Sequence, residues 1–265
     1  HFDIIIMTHF FPAEILTQMR CHGYKTPKTI LVATDYTCIP FSEETDCDAY
    51  VIPAKELLQE FQHRGIPPDK IFPLGIPVRS AFFSQLSKEE ARKKLDLEMG
   101  RRYLLISGGS IGAGKLVKAV RLLYAQGGDN TRLVVICGSN ETVYKKLLKR
   151  YRGKIRILRK TDQIATYLQA SDLYLTKPGG LSSTEAAVIG IPLAHLPPMP
   201  GCETKNAAFF AIHGMSRRIK TTRKDIAEII AFMEKQELCR EMILRQHEVI
   251  DRNSALKICK LASNL

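Results

Sequence analysis

The chain has 265 residues, 45% of them hydrophobic, with 11 Phe and 9 Tyr. This composition excludes an intrinsically disordered chain, and the length suits two modest domains. The formal net charge is +12. It is uneven, because residues 1–80 carry 7 Lys/Arg against 10 Asp/Glu, whereas residues 81–265 carry 32 against 17. No apolar run approaches the ~20 residues of a membrane span, so we expect no transmembrane segment.

The densest basic stretch is Lys145–Lys160, with nine Lys/Arg and no acidic residue. Such a run is more often a solvated helix and strand edge than a surface that contacts lipid. Aromatic residues interleave poorly with these cations, which argues against nucleic acid as a partner. The seven cysteines form no Cys-x-x-Cys pair and are odd in number. Free thiols in a reducing cytosol are therefore expected.

Apolar, β-rich runs alternate with helix-period segments along the chain. The predicted strands are Asp3–Met7, Thr29–Ala33, Ala49–Ile52, Tyr103–Ile106, Arg132–Ile136, Lys154–Leu158, Leu173–Leu175 and Pro192–His195. The predicted helices are Ala13–His22, Ala54–Arg64, Lys115–Ala125, Glu141–Tyr151, Ser183–Ile189, Glu203–His213 and Arg223–Met233, followed by an amphipathic stretch over Leu238–Leu261. This alternation predicts an α/β fold with mostly parallel sheets covered by helices on both faces.

A domain boundary is predicted near Gly75–Val78, so that residues 1–83 form one domain and residues 84–265 the other. Ser87 and Glu90 stand at the spacing of a helix-capping box just after it. The chain opens on His1 and runs at once into a strand, and we therefore expect further sequence upstream. The first domain is accordingly expected to be incomplete.

The strongest motif is Lys177-Pro-Gly-Gly-Leu-Ser-Ser-Thr-Glu-Ala-Ala187, between a short strand and a helix. Glycines allow a ligand to approach the backbone closely, and the N–H groups of a helix start bind phosphate oxygens. Glu185 is suited to accept hydrogen bonds from ribose hydroxyls, as acidic residues do in other nucleotide sites. An ordinary glycine turn with a serine cap is the alternative.

A second glycine-rich turn, Ser107–Lys115, follows the strand Tyr103–Ile106. It matches a P-loop except at Leu116, where the Mg²⁺-binding Ser or Thr would stand, and no Walker-B acid is evident, so ATP hydrolysis is not predicted. The acidic residue of a dinucleotide fingerprint is also missing.

The ordered set of motifs resembles the donor domain of the monogalactosyl- and glucosyl-diacylglycerol synthases. These enzymes are similar in turn to the N-acetylglucosaminyltransferase that makes lipid II. The front part of the chain is similar to the later part of their acceptor domain, and the resemblance extends to about Ser216. The motifs that carry it are Gly109-Ser110-x-Gly112, Cys137–Asn140, Thr161-Asp162, Lys177–Ala187 and Pro200–Asn206, with Thr8–Ala13, Thr34–Tyr36 and Gly75–Val78 in front.

The resemblance implies two Rossmann-like domains of the GT-B type and an inverting transfer from a UDP-sugar without a bound metal or other cofactor. It also implies that the last amphipathic stretch is a helix that crosses back and packs against the first domain. A position on a membrane surface is the alternative, which the mixed charges of the stretch disfavour. Carried over by position, it implies that Gly109, Ser110 and Gly112, together with Gly179, Gly180, Leu181, Ser182, Ser183 and Thr184, hold the diphosphate. It further assigns Glu185 to the ribose, Gly138, Thr161, Asp162 and Ile164 to the uracil, Glu203 and Asn206 to the donor sugar, and His9, Phe10, Pro12 and Asp35 to the acceptor side.

Two departures bear on these assignments. Cys202 stands where the family usually has Gln. Because cysteine is a weak hydrogen-bond donor, the sequence does not identify the donor sugar. The resemblance also places the catalytic base upstream of His1, and His9 is the only candidate for a base that we name. A histidine at the end of a strand is more often structural. The triplet Asp46-Cys47-Asp48 is interpreted as solvated rather than as a metal site.

The function expected from the sequence is hexosyl transfer from a UDP-sugar to a membrane lipid such as diacylglycerol. By itself the fragment is expected to bind the UDP-sugar, and whether it also transfers the hexose is left open. The protein is expected to be cytoplasmic and peripheral on the inner face of the membrane. Two alternatives stay open: a transferase that acts on a cell-wall lipid or another acceptor, and a nucleotide-binding module without turnover.

Overall fold

A computed structural model describes residues 2–84, 86–109 and 115–265. The chain divides into two compact units. The first unit is the chain up to Val78 together with Val249–Leu265, and the second is Arg79–Glu248. The boundary predicted from the sequence lay after residue 83 and left the carboxyl-terminal segment in the second domain. The division in the structure differs because the chain after Val249 packs with the first unit.

The first unit is built on a four-stranded sheet in the order β1-β2-β3-β4, with every pair parallel. Its elements are β1 (Ile4–Met7), α1 (Phe10–Cys21), β2 (Lys28–Val32), β3 (Ala49–Val51), α2 (Leu58–His63) and β4 (Ile71–Phe72). The carboxyl-terminal helix of the chain, counted as α11 (Ser254–Asn264), belongs to the same unit.

The core of the first unit joins its central strands to α11. Ile30, Val51 and Ile258 are buried in one cluster, and Leu261 packs against it. The amphipathic carboxyl-terminal segment therefore buries its apolar face against protein, which confirms the packing interpretation over the membrane-surface one.

The second unit contains a six-stranded sheet in the order β10-β9-β8-β5-β6-β7, again with every pair parallel. Its strands are β5 (Arg102–Ser107), β6 (Thr131–Ile136), β7 (Arg156–Leu158), β8 (Leu173–Thr176), β9 (Leu193–His195) and β10 (Arg217–Arg218). Its helices are α3 (Lys88–Lys94), α4 (Leu116–Gln126), α5 (Glu141–Tyr151), α6 (Ile164–Ala170), α7 (Gly180–Ile189), α8 (Cys202–Ile212), α9 (Arg223–Glu234) and α10 (Gln236–Val249). The parallel α/β fold predicted from the sequence is confirmed.

Sequence patterns located the long elements and missed the shortest ones. The edge strands β4 and β10 have two residues each, too few for an alternating pattern, and α6 has seven. The stretch predicted as one amphipathic segment is two helices, α10 and α11. At Ser87 the predicted capping box is confirmed, because the hydroxyl accepts from the Glu90 N–H and the Glu90 carboxylate accepts from the Ser87 N–H.

The described residues contain no helix long and apolar enough to cross a membrane. All seven cysteines are free thiols, as expected. Within the same described part of the chain, no group of three or more His, Cys, Asp or Glu side chains is arranged to hold a metal ion.

Candidate nucleotide-sugar site

The order in which the chain adds strands to the second sheet reverses at β5. From β5 the chain adds β6 and then β7 on one side, whereas β8, β9 and β10 follow on the other side. Open parallel sheets bind ligands at such a switch point, beyond the carboxyl ends of the two strands that flank it. Here those strands are β5 and β8, and both glycine-rich turns of the sequence emerge from them.

The register brings the two turns close together. Ser107, the last residue of β5, is paired with Thr176, the last residue of β8. Gly109 has a φ of 73°, and a Cβ added there would lie 2.3 Å from the Lys177 Cε atom. The turn after β5 and the turn after β8 are therefore immediate neighbours. Ser110 and Gly112 lie outside the described residues.

The start of α7 is suited to receive an anion. Gly179 occupies the N-cap position, and no side chain among the described residues caps this end. The Ser182 hydroxyl donates to the Gly179 carbonyl, and the Thr184 hydroxyl donates to the Gly180 carbonyl. Leu181 is exposed, whereas Gly180 is buried. The backbone N–H groups of the first turn, with the positive end of the helix dipole, are the feature that favours phosphate here.

Ser183 has a role that the sequence did not reveal. Its side chain is fully buried, and its hydroxyl lies 3.0 Å from His195 Nε2. The other ring nitrogen, Nδ1, lies 3.1 Å from the hydroxyl of Ser216. Ser183 therefore anchors α7 to β9, and this arrangement does not support its expected contact with the diphosphate.

His195 is a neutral structural group. It is 1% exposed, and burial lowers the pKa of its imidazole to about 3, with a smaller contribution from Arg218. A neutral imidazole has one donor and one acceptor nitrogen, and two hydroxyls satisfy both. The helix start is thus fixed by a buried network that keeps one protonation state at neutral pH.

Glu185 lies one turn into α7, where its carboxyl group is half-buried. Burial raises the pKa of Glu185 to about 7, against a smaller opposing effect of Arg79. A carboxyl group whose pKa is strongly raised is a candidate for a functional position when it lies near a proposed ligand site. Its carboxylate form would be stabilised by hydroxyl donors from a ligand, as the sequence suggested for ribose.

Glu203 and Asn206 both face the turn after β8. The Glu203 carboxylate accepts from the Lys177 ammonium at 2.6 Å and from the Met199 N–H at 3.0 Å. The Asn206 amide is fully buried and donates to the Pro178 carbonyl at 3.1 Å. The start of α8 is therefore tied to this turn. Lys177 is the residue that sequence reasoning missed here, and its position between a strand end and the glycines was the available signal.

The segments expected beside the uracil follow the next strands along the same edge. Gly138 follows β6, with a φ of 62°, and Thr161 and Asp162 follow β7. Ile164 begins α6 and is half-buried. The predicted base, diphosphate and sugar segments thus follow β7 and β6, then β5 and β8, then β9, in spatial order.

The residues expected on the acceptor side belong to the first unit. His9 is the N-cap of α1 and its Nδ1 accepts from the Phe11 N–H at 3.3 Å. Phe10 and Pro12 lie in the first turn of that helix, and Asp35 follows β2. Because Nδ1 accepts, a neutral ring carries its proton on Nε2, and the geometry does not support His9 as a base.

Asp48 is not solvated, contrary to the sequence interpretation. Its carboxylate accepts from Arg20 at 2.6 Å, from the Thr29 N–H at 2.9 Å and from Lys28 at 3.2 Å. Burial by itself would raise the pKa of Asp48, but these hydrogen bonds outweigh it and hold the pKa well below its ordinary value. Asp48 is therefore a structural ion-pair centre, whereas Asp46 is exposed.

The family of the chain follows from its similarity to known protein families. Residues 103–260 match the profile of the glycosyltransferase family 28 C-terminal domain. The chain belongs to glycosyltransferase family 28. Residues 1–78 match the profile of monogalactosyldiacylglycerol (MGDG) synthase. The resemblance inferred from the motifs is thereby confirmed.

Curated relatives of this family 28 chain include two bacterial proteins named processive diacylglycerol beta-glucosyltransferase. That of Staphylococcus carnosus is 26% identical over 97% of this chain and 66% of the relative. That of Bacillus subtilis is 30% identical over 80% of this chain and 56% of the relative. The chain therefore spans less than two thirds of the length of these relatives.

Solved structures similar to the chain support the GT-B assignment of the fold. MurG of Acinetobacter baumannii has a TM-score of 0.70 at 16% identity, covering 99% of this chain and 74% of that one. The MnaA–UDP co-structure from S. aureus has a TM-score of 0.72 at 15% identity, covering 97% and 74%. At these identities the similarity establishes the fold alone.

Proposed function

We propose that this protein transfers a hexose from a UDP-sugar to a membrane lipid such as diacylglycerol, with inversion at the sugar carbon and without a bound metal. The observation that supports the donor part of this proposal is the switch point between β5 and β8. There Gly109 lies beside Lys177, and no side chain of the described residues caps the start of α7. The names of the curated relatives support a membrane lipid as the acceptor.

The donor is proposed to lie along the carboxyl edge of the second sheet. The diphosphate sits on the turns at Gly109 and Gly179, with the uracil toward Gly138 and Thr161 and the hexose toward Glu203. In this pose Glu185 accepts hydrogen bonds from the ribose. The order of the strands supports this arrangement, because it is the order of the parts within a UDP-sugar.

Departure of UDP requires positive charge where the leaving diphosphate becomes more negative. The start of α7 supplies N–H groups and a helix dipole, and Lys177 supplies an ammonium group nearby. Preorganised groups of this kind stabilise a leaving group without rearranging during the reaction. Unchanged UDP-sugar binding and transfer in the presence of EDTA would support metal independence, and loss of either would contradict it.

Binding of the donor can be measured by titration calorimetry against UDP, UDP-glucose, UDP-galactose, ATP and NAD. We expect submillimolar binding of the uridine nucleotides only. Glu185→Ala is expected to weaken UDP binding by about 1–3 kcal/mol through loss of a charge-assisted hydrogen bond. Glu237→Ala, on exposed helix surface, is the matched control. Preference for ATP or NAD would contradict the proposal.

The acceptor is tested separately, with diacylglycerol vesicles and UDP-glucose or UDP-galactose. Formation of glycosylated diacylglycerol would support the lipid half of the proposal and the peripheral, inner-face location that it implies. UDP binding without transfer to any lipid by the complete gene product would favour the alternative, a nucleotide-binding module.

A further inference from the structure

Lys177 connects the two ends of the proposed donor site. It is the first residue after β8, and its ammonium lies 2.6 Å from Glu203 Oε1. Its aliphatic stem passes close to Gly109. A Cβ atom added to Gly109 would lie 2.3 Å from the Cε atom of Lys177 and 3.1 Å from its Cδ atom. The side chain therefore runs from the first glycine turn to the start of α8.

The ion pair is sheltered from solvent on both sides. The Lys177 and Glu203 side chains are 19% and 12% exposed. A pair at this depth is screened less by salt than a surface pair. Removal of either partner would destabilise the other, because a partly buried charge without a partner loses hydration and gains no compensating attraction. The other Glu203 oxygen accepts from the Met199 N–H, so both oxygens of the carboxylate are occupied in this structure.

A diphosphate on the glycine turns would compete for the same ammonium. The turn at Gly109 lies against the Lys177 stem, so phosphate oxygens held there come within reach of the ammonium after rotation about the side-chain bonds. A lysine ammonium has three donors on a flexible stem and follows charge readily. The carboxylate of Glu203 carries one negative charge, and a diphosphate carries more.

We propose that Lys177 turns from Glu203 to the diphosphate when the nucleotide binds, and that this frees Glu203 Oε1 to accept a hydroxyl of the donor sugar. Lys177 thus binds the leaving group and positions the residue that holds the sugar. This inference rests on the proposed function, because it requires a nucleoside diphosphate at the switch point.

The remaining contacts keep the carboxylate in place while the lysine moves. The Asn206 amide donates to the Pro178 carbonyl, so α8 stays attached to the turn after β8 independently of the ion pair. The Met199 N–H holds Oε2 of Glu203. Only the oxygen that faces Lys177 changes its partner.

The test compares UDP, UMP and UDP-glucose binding in the wild-type chain and three variants by calorimetry. Lys177→Met removes the ammonium. Lys205→Met is the matched control, since Lys205 is an exposed lysine of the same helix as Glu203. Glu203→Gln removes the competing charge and keeps the shape of the side chain.

Lys177→Met is expected to weaken UDP binding about tenfold or more, as for a lost hydrogen bond to a charged group, and UMP binding much less. Lys205→Met should change neither by more than about twofold. Glu203→Gln should tighten UDP binding, because the ammonium no longer has a second anion to pair with, and should weaken UDP-glucose binding relative to UDP. A static ion pair predicts no gain for UDP in Glu203→Gln.

Two outcomes overturn the inference alone: equal UDP affinities of Lys177→Met and Lys205→Met, or no gain in UDP affinity in a folded Glu203→Gln variant. Circular dichroism and melting temperature identify any variant that fails to fold, and Glu203→Gln then carries the test without Lys177→Met. A wild-type chain that binds no uridine nucleotide would instead overturn the proposed function as well.

Discussion

The imidazole Nε2 of His195, at the end of β9, lies 3.0 Å from the hydroxyl oxygen of Ser183 in the first half of α7. Both residues are buried, at 1% and 0% exposure. This contact fixes the helix whose amino end is proposed to bind the diphosphate. Within the Ser182–Thr184 segment, Ser183 and Thr184 are fully buried, whereas Ser182 is half-buried.

Ser183→Ala is expected to lower the free energy of unfolding by about 1–3 kcal/mol, because a buried ring nitrogen loses its partner. UDP binding should change by less than about threefold, a small free-energy change. Chemical denaturation and calorimetry measure the two effects. A large loss of UDP affinity with unchanged stability would mean that Ser183 contacts the phosphate after all.

His195 predicts a specific dependence of stability on pH. Its pKa is about 3 in the folded chain against 6.5 as its ordinary value, so protons bind the unfolded state first as the pH falls. Stability is therefore lost as the pH drops from 6.5 toward 3. Between pH 6.5 and pH 5 the loss from this residue is about 2 kcal/mol. His195→Gln should show a shallower decline in denaturation experiments over that range, and an unchanged slope would contradict the assignment.

Glu185 predicts that UDP binding strengthens as the pH rises through the pKa of its carboxyl group. Its pKa of about 7 leaves the carboxyl group largely protonated at pH 6. Ribose hydroxyls donate to the ionised form, so UDP affinity should rise from pH 6 to pH 8 and protons should be released on binding. Glu185→Gln serves as the reference, because the phosphate of UDP titrates equally with both proteins. Identical pH profiles for the two proteins would remove Glu185 from the ribose site.

Asp48 predicts an acid-sensitive first unit. Its pKa is lowered in the folded state, so its contribution to stability is present above its ordinary pKa of 3.8 and is lost as the pH falls below it. Asp48→Asn should cost about 3 kcal/mol or more at pH 7, since Arg20 is left partly buried without its partner. The difference from wild type should shrink at pH 3. Asp46→Asn is an exposed neighbouring control, and an equal effect of both substitutions would contradict this account.

The sequence predicted the long strands and helices because their apolar residues form either a clear helical period or an unbroken run of strand length. It located the two glycine-rich turns because each stands between an apolar strand run and a helix-period segment; binding of a nucleotide by these turns stays a prediction. It did not predict that Ser183 points inward. The helical period could have indicated this, because residues three and four apart share a helix face and Ser183 lies three and four residues before the buried Ala186 and Ala187.

Other features depended on contacts between distant parts of the chain. No local pattern pairs Asp48 with Arg20, which is 28 residues away, or Lys177 with Glu203, which is 26 residues away. The neighbouring positions of β5 and β8 likewise follow from the order of strands in the sheet, which the sequence alone left open. The association of α11 with the first unit was implied by the family resemblance, because a helical period by itself does not identify a packing partner.

The proposed function requires the turn at Gly109 and the start of α7 to hold one diphosphate between them. A crystal structure of the chain with UDP would show whether they do. We predict diphosphate density within hydrogen-bonding distance of the first-turn N–H groups of α7 and beside Gly109, with the ribose next to Glu185. UDP bound elsewhere, or with its uracil at the junction of β5 and β8, would contradict the account.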